Sequence, residues 1–330
     1  MKVITGALKY FNENAIIRGK QLGCEGVHFN RPPLWGNDTW APESVKWLVE
    51  YCKKFDMPVT GVENIPVEWF TPIILGYPER DECIERYQGI IEAFGKAGIP
   101  LLGYGFGAGN VWRTSIHAKG RGGSECMQYV QADEKKGNAL TYKNVIRGEN
   151  PTREQLWENY AYFLKAVLPT AEKWHVKLML HPSDPMLPEV NGIPRIMVSI
   201  EDFKRAYELS GGSPAWGINL CIGCFSQLGG REAVLEMIRY FGPKGKLFQV
   251  HFRDVIGSGN DFTECFLGEG NFDPAEIISE LAKNGFDGYI FEDHVPVIRD
   301  DDFYHTIGRA HASGYIQGML AMMQYMQKKD

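Results

Sequence analysis

The chain has 330 residues, 44% hydrophobic and 23% charged, ordinary globular proportions that suffice for a large buried interior. A net charge of −6 offers no basic face, which excludes nucleic acid and anionic membrane surfaces as expected partners, and no run of about 18 apolar residues is present to span a bilayer. Seven scattered cysteines, an odd number in a long chain, do not form a disulfide framework, so a special cysteine here would be a ligand or a nucleophile. Met1 to Thr5 lacks the basic, long-apolar, small-residue order of a signal peptide, and a cytosolic location is expected. Residues 1–330 are expected to form one barrel-sized domain, and a homo-oligomer stays open.

In chain order, β-rich runs cover Val3 to Leu8, Gly26 to Asn30, Val59 to Asn64, Leu101 to Phe106, Lys177 to His181, Trp216 to Cys221, Leu247 to Asp254 and Tyr289 to His294. Between them lie amphipathic helical patterns over Pro42 to Phe55, Glu79 to Ala97, Thr152 to Trp174, Ser199 to Ser210, Arg231 to Phe241 and Pro274 to Asn284. Strands alternating with helices imply parallel pairing through helical crossovers. Eight such units, with no dinucleotide fingerprint after the first strand, predict a closed (β/α)₈ TIM barrel. The glycine-rich stretch from Gly103 to Gly109 opens no helix and is expected to be a loop. A long polar segment at about 107–150, carrying Trp112, Arg113 and His117, is expected to be a loop or lid. A helix over about 307–327 closes the chain.

Active sites of such barrels sit at the C-terminal ends of the strands. Four consecutive strands end in chemistry: strand five at His181, six at Cys221, seven at His251 to Asp254, and eight at Glu292-Asp293-His294. Singly, His181 reads as a core histidine and Cys221 as a small buried hydrophobe. Together, two imidazoles, a thiolate and the Asp293 carboxylate can hold a divalent cation with positions left for water or substrate. Donor softness leaves zinc, iron and manganese open. Cys221-Ile222-Gly223-Cys224 lacks the second pair a structural zinc needs, so only Cys221 is assigned as a ligand. Strand alternation predicts Asp293 and His294 on opposite sides, one at the metal and one over the mouth. Arg253, two residues beyond His251, is positioned either to grip a substrate carboxylate bidentately or to form a salt bridge at the rim.

Gly61 to Val67, Val111 to Thr114, Glu158 to Tyr160, Leu178 to Pro185, Leu220 to Gly223, Val250 to Asp254, Asp293 to Pro296 and Tyr304 to Tyr315 carry a resemblance that covers most of the chain. The sequence resembles the mannonate dehydratases, metal-dependent barrel enzymes that convert D-mannonate to 2-keto-3-deoxygluconate. The resemblance implies His181, Cys221, His251 and Asp293 as ligands, Mn²⁺ or Fe²⁺ as the ion, His294 and Tyr304 as the proton-transfer groups, and a sugar acid as the small-molecule partner. Arg253, Asp184, Trp112, Arg113, His28 and Arg309 are the candidates for contact with substrate, and Tyr304 acts as a base only if the metal or Arg309, five residues on, lowers the phenol's pKa.

The sequence departs from the family pattern on the substrate side, at His28 to Pro33, at Tyr104-Gly105-Phe106, in Phe262 to Gly270 and in the short span between Asp293 and Tyr304. Two other functions fit the same barrel: a sugar isomerase or epimerase acting through a metal-stabilised enediolate, and a non-catalytic sugar-binding module. An isomerase would normally bring carboxylates, not a cysteine, to its metal.

Overall fold

The computed structural model describes residues 1–8, 12–30, 40–108, 112–136 and 146–328. In it, parallel strands β1 (Thr5–Leu8), β2 (Val27–Asn30), β3 (Val59–Glu63), β4 (Leu101–Gly105), β5 (Lys177–His181), β6 (Trp216–Cys221), β7 (Leu247–His251) and β8 (Tyr289–Phe291) pair in chain order. Lys2–Val3, just ahead of β1, pairs with Tyr289 and Ile290 of β8, while Thr5 and Leu8 pair with β2, so the first stretch closes the barrel. The predicted barrel is the observed one. Among the described residues no helix is long and apolar enough to cross a membrane.

The helices are α1 (Glu13–Gln21), α2 (Pro42–Lys53), α3 (Val67–Leu75), α4 (Arg80–Ala97), α5 (Arg153–Trp174), α6 (Ile200–Leu209), α7 (Ile222–Phe241), α8 (Pro274–Lys283) and α9 (Thr306–Gln327). Their starts follow local chemistry. Thr152 and Gln155 form a capping box, the Ser199 hydroxyl accepts from the Asp202 N–H, and Pro42 and Pro274 stand at first-turn positions where a missing N–H costs nothing. Buried side chains such as Phe94, Phe163, Trp216, Phe225 and Phe241 fill the layer between helices and barrel. Helices α1 and α3 are not among the patterns named from the sequence, and α3 carries Pro72 within it.

Three segments differ from expectation in ways that shape the site. The long insertion is partly regular: Ser115–Lys119 and Glu125–Val130 form an antiparallel pair, which joins Asp261–Cys265 and Asp254–Ser258 in a four-stranded sheet. Strand seven does not run on to Asp254. It ends at His251, breaks at Phe252-Arg253, and resumes in a hairpin whose two-residue turn is Gly259-Asn260. Helical turns begin directly at Ile222, and Gly229 and Gly230 interrupt α7 where the sequence suggested its start, Gly230 at φ +61°. Gly109, Val111 and Arg31 to Pro33 lie outside the described residues.

The barrel interior is kept open by glycines on β3 and β4. A Cβ on Gly103 would come 2.8 Å from the Glu63 Cβ and 3.0 Å from the Met179 Cε, and one on Gly61 would meet the His28 ring at 2.9 Å. Gly103→Ala should therefore cost about 1–3 kcal/mol of stability through overpacking. Chemical denaturation reads this directly, and a midpoint equal to that of the parent chain would contradict it.

Candidate active site

Register builds the site. Cys221 lies opposite His251 in the β6–β7 pair, and His251 lies opposite Phe291 on β8, two residues before Asp293. At the ends of β5, β6 and β7, His181, Cys221 and His251 each bring one ligand atom to within 4.8 Å of the others. Cys221 and His251 are buried and His181 is half-buried. The His181 Nδ1–H donates to the Pro182 carbonyl at 2.7 Å, which turns Nε2 away from that bond.

The fourth expected ligand, Asp293, is beside this trio but turned aside. Its Oδ2 is 3.7 Å from His251 Nδ1 and accepts from Arg253 Nε at 2.9 Å. Asp293 and His294 do not point to opposite sides, because β8 stops at Phe291 and strand alternation stops with it. His294 Nε2 is 3.8 Å from Asp293 Oδ1; Asp293 meets Arg253 and His294 meets Glu264, which is itself 3.6 Å from Arg253. It is Glu292 that points the other way, to Ser313 and Arg309 of α9.

Above the trio is a buried ionic network. Arg113 forks onto Asp184 at 2.9 and 2.8 Å and onto Glu264 Oε1 at 3.0 and 2.5 Å, and Nη1 also donates to the Trp112 carbonyl. Arg253 Nη2 donates to Asp184 Oδ2 at 2.7 Å. Gln227, on the unpredicted first turns of α7, donates to Asp184 Oδ1 at 3.1 Å. His294 Nδ1 lies 2.8 Å from Glu264 Oε1, and since a carboxylate only accepts, the ring proton faces Glu264 and Nε2 is the nitrogen on the side of Asp293.

Charge follows from these neighbours. Burial opposes the Cys221 thiolate, yet a hydrogen bond from Cys224, the Arg253 guanidinium and both imidazoles hold its thiol well below the usual range. Burial and the adjacent thiolate push Cys224 the other way, so it remains a thiol. Burial also opposes charge on Asp293, but His294, His251 and Arg253 keep its carboxyl well below the usual value. His251 is held well above the ordinary imidazole range despite burial, chiefly by Glu63 and Asp293. A bound cation would take the place of that proton. The donor set fits a divalent ion: one thiolate, two imidazoles and a carboxylate 3.7 Å from one of them, with the buried His251 Nδ1 lacking any hydrogen-bond partner among the described residues.

A family model described as D-mannonate dehydratase (UxuA) matches residues 14–152 and 134–330. Mannonate dehydratases of Brachyspira hyodysenteriae and Thermotoga petrophila are 31% and 30% identical, covering 97% and 93% of this chain and 98% and 92% of theirs. The chain belongs to the mannonate dehydratase family. The crystal structure of the Streptococcus suis mannonate dehydratase superposes with a TM-score of 0.81 at 25% identity, covering 96% of this chain and 94% of that one. An L-ribulose 3-epimerase superposes at 0.61 with 17% identity, a likeness of fold alone.

Several residues expected to touch substrate in this dehydratase family member stand elsewhere. Arg113 is fully buried with its guanidinium engaged by Asp184, Glu264 and the Trp112 carbonyl, and Asp184 is committed to two arginines. Trp112 packs with Tyr129, Leu187, Val190, Val255 and Phe262 under the antiparallel sheet. His28 is buried inside the barrel, stacked on Phe291 at 5.4 Å, and burial lowers its pKa. Arg253 does not offer a bidentate grip, since Nε and Nη2 are engaged by Asp293 and Asp184. Arg309 bonds the Tyr304 carbonyl, the Gly6 carbonyl and Glu292, not the Tyr304 phenol. Tyr304 itself is half-buried on the turn into α9, its N–H held by Asp302.

Glu63 and Glu264 were missed. Glu63 also ends a barrel strand, so the signal that exposed strands five to eight was available at strand three. Glu264 gave none, because an acid within an alternating hairpin strand reads as a solvated face.

Removing Arg113 leaves two buried carboxylates short of a partner. Arg113→Ala should destabilise the fold by about 3–5 kcal/mol in chemical denaturation. A variant of unchanged stability with only a raised KM would place Arg113 on substrate instead.

Proposed function

We propose that this chain is a metal-dependent hydro-lyase that removes water from a sugar acid, D-mannonate foremost, to give 2-keto-3-deoxy-D-gluconate. The convergence of His181, Cys221 and His251 within 4.8 Å, beside Asp293 and His294, carries the proposal in a chain of this family. His181, Cys221 and His251 would hold the ion, with Asp293 joining when its carboxylate leaves Arg253. Manganese is the proposed ion and ferrous iron the alternative. When bound, the ion supplies Lewis-acid stabilisation for the negative charge that develops next to the substrate carboxylate.

The reaction removes the proton at C2 and the hydroxyl at C3, and the enol left behind becomes the ketone. His294 is suited to one proton transfer: Glu264 fixes its Nδ1–H and leaves Nε2 as the exchanging atom. Tyr304 is assigned the other. Arg253 is assigned to positioning, holding Asp293 and countering the Cys221 thiolate, since two of its nitrogens are already engaged. Burial beneath Arg113 and Arg253 keeps this end of the site in a low dielectric where fixed charges act strongly. Such an activity belongs to hexuronate catabolism in the cytoplasm.

The direct test incubates the Mn²⁺-loaded chain with D-mannonate and neighbouring aldonic acids and assays for a 2-keto-3-deoxy product. An isomerase or epimerase yields none, and that outcome would overturn the assignment. Cys221→Ser should lose stoichiometric Mn²⁺ and activity together, because a hydroxyl is a poor substitute for a thiolate; metal retained after gel filtration would remove Cys221 from the ligand set. His294→Asn should keep its metal while turnover falls by about 10²–10⁴-fold. A normal rate in that variant would take His294 out of the mechanism.

A further inference from the structure

The interior beneath the metal donors is polar as well, and one carboxylate dominates it. Glu63, at the end of β3, is buried; its Oε1 accepts from Asn30 Nδ2 at 2.8 Å, while Oε2 lies 3.3 Å from His251 Nε2 and 3.7 Å from His28 Nε2. The opposite ring nitrogen, His251 Nδ1, is on the side of Asp293 and has no hydrogen-bond partner among the described residues. A neutral imidazole carries one N–H, and an ionised carboxylate can only accept. The proton of a neutral His251 therefore belongs on Nε2, toward Glu63, leaving the Nδ1 lone pair on the side of the metal donors. Asn219 fits the same arrangement. As placed, its Nδ2 stands 2.8 Å from Nε2 and 3.5 Å from Glu63 Oε2; with the amide reversed, its oxygen accepts from the Nε2–H and gains the partner it otherwise lacks, at the cost of the long contact to Glu63.

We propose that Glu63 is a positioning residue that fixes the tautomer and the ring orientation of His251, so that Nδ1 is the atom offered to the metal. The assignment rests on the metal site proposed above. A carboxylate taken out of water needs compensation, and Glu63 finds it in His251 and the Asn30 amide instead of at the surface. Carboxylate partners of this kind orient a ligating imidazole and raise its basicity, and their loss typically weakens metal binding by about 10–100-fold. Gly103 holds Glu63 in place from the β4 side, since nothing larger fits against its Cβ.

Two measurements test it. In ¹⁵N-histidine-labelled chain loaded with Zn²⁺ as a diamagnetic stand-in, long-range ¹H–¹⁵N correlations for His251, assigned by their loss in His251→Asn, should report the Nε2–H tautomer with a metal-shifted Nδ1. An Nδ1–H signal overturns the proposal, and this readout needs no Glu63 variant to fold. In isothermal titration with Mn²⁺, Glu63→Gln should bind about 10–100-fold more weakly than the parent. Equal affinity for Mn²⁺ overturns the role of Glu63 while leaving the metal site intact. A parent chain that binds no Mn²⁺ overturns the metal site, and the role of Glu63 with it.

Discussion

Two arginines buried side by side set the terms for this molecule. Moving an ion out of water costs several kcal/mol unless opposite charge and hydrogen bonds meet it closely, and Arg113 and Arg253 are both almost wholly inaccessible. They are met by Asp184 after β5, by Glu264 in the antiparallel sheet, and by Asp293 after β8. Each of these acids is held well ionised by the arginines and histidines around it, against the effect of burial. One ionic cluster thus ties the barrel mouth to the four-stranded sheet. The sheet cannot shift without stranding a charge.

The same pairing shapes the proposed metal donors. Arg253 stabilises the Cys221 thiolate while it holds Asp293, so the proposed ligand set is tuned from behind by a residue that need not touch an ion. Below, Glu63 and Asn219 hold the far side of the His251 ring. The donors are consequently fixed from two directions, by charge above and by hydrogen bonds beneath. Glycines at 61 and 103 make the lower arrangement possible, because a side chain at either position would occupy the space of His28 or Glu63.

The barrel and half of the site were legible in the residues. Strand boundaries at Lys177–His181 and Trp216–Cys221 coincide with those of the folded chain, because strands buried on both faces read as short, near-continuous apolar runs. The convergence of His181, Cys221 and His251 followed from strand order alone. The insertion was less legible. Its strands alternate weakly, and beyond their pairing with each other their sheet is completed only by the hairpin at Asp254–Cys265, more than a hundred residues away in sequence.

What the sequence determined by itself was the number of barrel strands, their parallel order and the chemistry delivered at their ends, since each depends on a local pattern of burial and turn. What only the tertiary structure decided was the assignment of charges to partners. Arg113 reaches Glu264 across 151 positions and Asp184 across 71, so it is a buried strut and not a surface hand for substrate. Asp293 is drawn toward Arg253 and Glu63 toward His251 for the same reason. Electrostatic pairing in a low dielectric depends on distance in space, and periodicity along the chain carries no record of it.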